Sequence, residues 1–275
     1  MAVYVHQDDL DETQQYLYYI KYCTSDSLSW THYVSLQLVF SDKHMPHIFH
    51  GIYGSHPNGL RCKEEVHISA LSNFHNNITY PLHLLRHVAR LNAETFYVLP
   101  VEPGMLPTKH FIKTFLQFVH LYYPEKPLKS VYCIPVFPQI GDDLSLPKYK
   151  SQLCTQLQPY LQNRVWLPKT KLEQLDKWRS WLQAPIRDGD MTIYRVTQDT
   201  DNCAVYVSSN AYDQSTYEVN STKLKILVGR GFDFIVLDGT FLIYRNTSLQ
   251  PEYSTDSIPH TATNQIEYLS TGQLE

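Results

Sequence analysis

At 275 residues with 43% hydrophobic side chains, the chain is long enough to bury one substantial core, or one core with a small satellite. A net charge of −4 and the lack of any dense Lys/Arg run leave no support for a nucleic-acid groove. No apolar run approaches the roughly 18 residues of a bilayer span, and Met1-Ala2-Val3-Tyr4-Val5-His6 lacks the basic-then-apolar order of a secretory signal.

Asp8 and Asp9 are suitable caps for a short helix carrying Leu10, Leu17 and Ile20, while Tyr16 to Ile20 reads equally as a strand. Between Trp30 and Phe40, alternation of Val34, Leu36, Leu38 and Phe40 predicts a strand. From His47 to Ser69 two extended runs flank Pro57-Asn58-Gly59, and Asn-Gly tolerates the positive φ of a tight hairpin. Pro81 opens a helix with Leu84, Leu85, Val88 and Leu91 inward and His83, Arg86, His87 and Arg90 outward.

Tyr97-Val98-Leu99-Pro100-Val101-Glu102-Pro103 returns as Tyr132-Cys133-Ile134-Pro135-Val136-Phe137-Pro138, each copy after a helix. The helix between them starts near Thr108, a suitable N-cap. Its stripe of Phe111, Ile112, Phe115, Phe118, Val119 and Tyr122 is wide enough to be buried on more than one side. Strand, crossover helix and strand make a βαβ-like unit with two parallel neighbouring strands. Proline lacks the N–H a ladder needs, so each copy is expected to leave its sheet there.

Helices follow over Tyr149–Leu161 and from Thr170. The second has a Thr170–Glu173 capping box, an i,i+4 pair of Glu173 with Lys177, and Leu172, Leu175, Trp178, Trp181 and Leu182 on its core face. Short strands come next at Met191–Val196, Cys203–Ser208, Tyr217–Val219 and Leu224–Val228, then a pair meeting at Asp238-Gly239. The expected class is therefore α+β, a central sheet with a βαβ-like unit and packed helices, followed by an antiparallel β-meander. The organisation reads as an α/β body over 1–184, a β-rich region over 185–246 packed on it, and a polar, disordered tail over 247–275.

Five scattered cysteines without a Cys-x-x-Cys pair suit reduced thiols and a cytoplasmic or nuclear location, neither secreted nor membrane-spanning. The Asn-x-Ser/Thr triplets at Asn77, Asn220 and Asn246 then have no route to glycosylation.

His44, His47 and His50 have the spacing of a metal-ligand run, although three-residue spacing converges only on a helix and these flank a strand entry. His67-Ile68-Ser69 resembles one half of the His-x-Ser/Thr signature of the 2H phosphoesterases, whose paired histidines would act as acid and base. No second copy is present. Phe234 to Thr240 resembles the opening of a haloacid-dehalogenase phosphatase, but Val236 stands where the nucleophilic aspartate would be, and an Asp-Gly hairpin accounts for the same letters.

If the two repeated strands are parallel neighbours, the loops after them place Glu102 and the pair Asp142–Asp143 on the sheet edge where α/β proteins bind ligands. Such carboxylates could hold Mg²⁺ or divide acid and base roles. No nucleotide, protease or esterase motif is present, and no cofactor is implied. Abundant aromatics and a tyrosine and histidine bias (21 and 13, against 10 glycines) point to a non-enzymatic interaction factor, a viral accessory protein with a host-protein partner and without nucleic acid. The alternatives are a divergent phosphodiesterase or metal-dependent hydrolase, and a structural or RNA-associated viral component.

Overall fold

The computed structural model describes residues 1–24, 32–45, 62, 81–122, 129–140, 146–162, 165–166, 168–210 and 220–245. The hairpin expected around Asn58-Gly59 and the strand at 217–219 lie outside them. The chain forms two compact units, one within residues 1–93 and one within 94–255.

In the first unit, strand β1 (Ala2–Tyr4) is followed by helix α1 (Leu10–Cys23), strand β2 (Gln37–Val39) and helix α2 (Leu82–Leu91). The ambiguous segment after Asp9 is thus helical, with Leu10 and Leu17 buried. Asp9 holds its N-cap position without a side-chain cap hydrogen bond, and the 3₁₀ turn before it (Gln7–Asp9) is capped by His6, whose Nδ1 accepts from the Asp8 amide. β1 and β2 pair in parallel, Val3 opposite Leu38, across α1 as the crossover.

Leu38 and Phe40 pack with Val5, Leu10 and Leu17, while Val39 faces Leu84, Leu85 and Val88. The expected alternation from Trp30 therefore shrinks to three ladder residues buried on both faces. On α2, Leu84, Leu85 and Val88 are buried as expected, but Leu91 is exposed and Arg90 buried.

The second unit carries strands β3 (Tyr97–Val98), β4 (Met105–Pro107), β5 (Ser130–Cys133), β6 (Val136–Pro138), β7 (Thr192–Thr197), β8 (Tyr206–Ser209), β9 (Asp233–Asp238) and β10 (Leu242–Tyr244). Its helices are α3 (Phe111–Tyr122), α4 (Lys150–Leu161), α5 (Lys169–Lys177), α6 (Arg179–Gln183) and α7 (Asn220–Gly229). One sheet has the order β3-β8-β5-β9-β7 and a smaller one the order β4-β10-β6. The fold is α+β.

Alternation along β5 explains the layering. Tyr132 and Ile134 face Phe111, Phe115 and Phe118 of α3, whereas Val131 and Cys133 face Leu153 and Leu157 of α4 together with Leu175, Trp178 and Trp181. The tryptophans are core residues, as expected. α3 itself is buried on one side only, with Ile112, Leu116 and Leu121 exposed.

Several local expectations change. β3 and β5 lie in one sheet and run the same way, because each is antiparallel to β8, but β8 separates them. The helix from Thr170 breaks at Trp178, and Pro168 at its N-cap leaves the Thr–Glu box unformed. Lys177 reaches the Asp201 carbonyl, and Glu173 pairs instead with Lys169 at 3.8 Å. The segment at Leu224 is helical because Leu224 and Leu227, three apart, are its buried positions.

Two disulfides replace the expected reduced thiols: Cys23–Cys62, and Cys133–Cys203 in the core beside β5. Their partners are 39 and 70 residues apart, separations that carry no signature in the sequence. Closing a loop of the longer span stabilises by about 4 kcal/mol in the chain-entropy model. Cys154 remains a thiol, its Sγ 3.5 Å from the Leu182 carbonyl, and burial pushes its pKa up. Thiol titration of the unfolded, unreduced chain is expected to find one reactive group; five would rule both bridges out. No helix among the described residues is long and apolar enough to cross a membrane.

Candidate functional site

Two adjacent runs of chain pass from the larger sheet to the smaller one. β5 leads through Pro135 into β6, and β9 leads through Asp238-Gly239 into β10. β5 pairs in parallel with β9, and β6 in parallel with β10. Asp238-Gly239 is therefore a crossing between sheets and not the expected hairpin. Gly239 has φ +77, and a Cβ there would stand 1.9 Å from the Asp190 carbonyl oxygen, so only glycine fits. Pro100 and Pro135 both sit just beyond their strands in the larger sheet, as their missing N–H groups require.

A buried polar knot fixes the second crossing. The Lys150 ammonium, wholly excluded from solvent, donates to Asp238 Oδ1 at 2.7 Å and lies 4.2 Å from the centre of the Trp181 ring. The same carboxylate oxygen accepts from the Gly239 amide at 2.9 Å, and Trp181 Nε1 donates to the Leu237 carbonyl at 2.9 Å. Thr108, expected as a helix cap, instead shares a 2.9 Å hydroxyl contact with Thr240. Every one of these contacts ends on chain, so the knot is structural.

The more open arrangement lies where β6 and β10 end side by side, the edge at which parallel strands present ligand-binding loops. Gln139, next after β6, is its centre. Its amide donates to the Tyr244 carbonyl at 2.9 Å, its carbonyl accepts from Lys171 Nζ at 3.3 Å, and its side-chain Oε1 accepts from Arg245 Nε at 3.3 Å. The turn carrying Glu102 is pinned to the same edge. Met105 donates to the Glu102 carbonyl at 3.0 Å and Arg245 to the Gly104 carbonyl at 2.9 Å. Gly104 takes φ +86 there, with a virtual Cβ 2.8 Å from the Arg245 carbonyl oxygen.

The turn of the half-buried Glu102 thus ends at the edge that carries two half-buried cations, Lys171 and Arg245. A carboxylate can take a proton from a hydroxyl, and a guanidinium beside an ammonium can hold an oxyanion.

Of the residues singled out from sequence, Glu102 stands on this rim. Asp142, Asp143, His67, Ser69, His47 and His50 lie outside the described residues. His44 ends a single 3₁₀ turn (Asp42–His44) in the first unit, its ring 4.3 Å from that of His6. Among the described residues no three His, Cys, Asp or Glu side chains gather as a metal site.

Sequence reading missed Gln139, Lys171 and Arg245, because their convergence depends on the pairing of β6 with β10. It also missed Lys150, although Lys150, Leu153 and Leu157 share the buried side of α4 at helical spacing.

Residues 1–270 match the family model described as a glycosyl-transferase for dystroglycan. No curated protein matches the chain. The family match overturns the expected non-enzymatic interaction factor and its viral, accessory and host-binding attributes. The hydrolase, phosphodiesterase and RNA-associated alternatives are set aside with it. Aromatic abundance had pointed to an interaction factor, whereas Phe115, Tyr132, Phe137, Trp181 and Phe241 are buried inside the second unit.

Proposed function

Because the chain belongs to the family of glycosyltransferases for dystroglycan, we propose that it moves a sugar from an activated donor to a hydroxyl of a glycan acceptor, at the rim formed by Glu102, Gln139, Lys171 and Arg245. The family match over nearly the whole chain carries this reading. The rim supports it by supplying the two things glycosyl transfer requires.

The acceptor oxygen attacks the anomeric carbon and forms a new C–O bond. The bond to the leaving group breaks, and its electron pair departs with that group. Glu102 takes the acceptor proton. Arg245 and Lys171 hold the negative charge that develops on the leaving group, and Gln139 aims the guanidinium through the 3.3 Å bond to its Nε.

On this reading the protein partner expected from sequence is the glycoprotein that carries the acceptor glycan. The two disulfides favour an oxidising compartment over the cytoplasm expected from the cysteine pattern.

The test is direct. Purified protein is incubated with dystroglycan and a panel of radiolabelled activated sugars, and label in the glycoprotein is counted. Incorporation from at least one donor is expected; none from any donor would overturn the proposal.

A further inference from the structure

A groove of about 480 Å³ runs along the outer side of α4, within the range of roughly 300–1,000 Å³ common for ligand sites. Leu146 and Pro147 line it together with Lys148, Ser151, Gln152 and Thr155. Leu146, Pro147 and Gln156 also line a smaller recess that reaches Gln139, Ile140 and Ile243, at the ends of β6 and β10. Through these shared residues the groove borders the proposed reaction rim.

The chemistry of the lining is specific. An ammonium, two hydroxyls and two amides offer both donors and acceptors, which suits hydroxyl groups that are donor and acceptor at once. Beside them, Leu146 and Pro147 provide apolar surface for the C–H faces of a sugar ring. The polar positions are also held in place: the Lys148 amide donates to Gln152 Oε1 at 2.8 Å, the Ser151 amide donates to Asp188 Oδ1 at 3.1 Å, and Thr155 Oγ1 donates to the Ser151 carbonyl at 2.9 Å.

We infer that this groove is the acceptor subsite, holding the sugar units behind the reacting hydroxyl. The inference rests on the transferase reading for the identity of the reaction, but the groove's affinity for oligosaccharide can be measured without turnover.

Wild-type protein and Thr155→Trp are titrated with maltotetraose, cellotetraose and chitotetraose by ligand-observed NMR, with circular dichroism to confirm folding. Thr155 is exposed, so the indole fills the groove and not the core. At least one tetrasaccharide is expected to bind the wild type, and Thr155→Trp to weaken it tenfold or more. Lys148→Ala, which leaves α4 intact, is expected to weaken it about threefold.

Binding to none of the three, or equal binding by wild type and Thr155→Trp, would overturn the subsite. If label transfer fails with every donor while Thr155→Trp still abolishes tetrasaccharide binding, the subsite stands and the transferase reading falls. If transfer proceeds and Thr155→Trp changes neither tetrasaccharide binding nor the acceptor KM, the reverse holds.

Discussion

Replacing Glu102 by Gln is expected to lower the rate of sugar transfer by about 10²- to 10⁴-fold, the usual contribution of a positioned general base. The amide keeps the shape of the carboxylate and cannot take a proton. The backbone around position 102 is fixed by the Met105-to-Glu102 and Arg245-to-Gly104 hydrogen bonds, neither of which involves the side chain. The thermal midpoint, measured alongside, separates a loss of chemistry from a loss of fold. The acceptor KM should move little, because the lost interaction belongs to the transition state. Glu173→Gln, an exposed acid on α5 whose partner is Lys169 at 3.8 Å, serves as the control and is expected to transfer at the wild-type rate. Wild-type turnover by Glu102→Gln would remove this residue from the chemistry and leave the rim with cations alone.

The strand exit before Glu102 was legible because the repeated Tyr-x-x-Pro segment marks where a strand leaves its sheet, and proline enforces that locally whatever the strand pairs with. α2 and α4 were legible for a similar reason, since a 3.6-residue apolar period is a property of neighbouring residues. What could not be read is the pairing. Nothing near Val98 or Cys133 says that β8, seventy residues and more along the chain, will insert between them, because both outer strands need only some partner to satisfy their ladders.

Asp238-Gly239 illustrates the same limit at the scale of one turn. The dipeptide permits a hairpin and a sheet crossing equally, and the Asp190 carbonyl and the Lys150 ammonium decide between them from distant points in sequence. The cations of the rim depend on that decision, since Arg245 meets Gln139 only when β10 lies beside β6.

That dependence gives Lys150 a larger role than a surface charge would have. Lys150→Met is expected to destabilise the second unit by about 3–5 kcal/mol, the range for breaking a buried ion pair by removing one partner. Desolvating two charges is costly, and here the cost is offset by the 2.7 Å bond, by the Trp181 ring face 4.2 Å away, and by the Gly239 amide on the carboxylate. Methionine fills the volume and packs against the indole, yet leaves Asp238 nearly buried with one amide donor for its charge. For a unit of this size the loss corresponds to a fall in thermal midpoint of about 10 °C.

A double variant, Lys150→Met with Asp238→Asn, separates charge from packing. It is expected to recover most of the loss, because asparagine can still accept from Gly239 without a buried charge. If Lys150→Met unfolds within a degree or two of wild type, the pair contributes little, and the crossing that places Arg245 on the rim must be held by Gly239 and the Thr108–Thr240 contact instead.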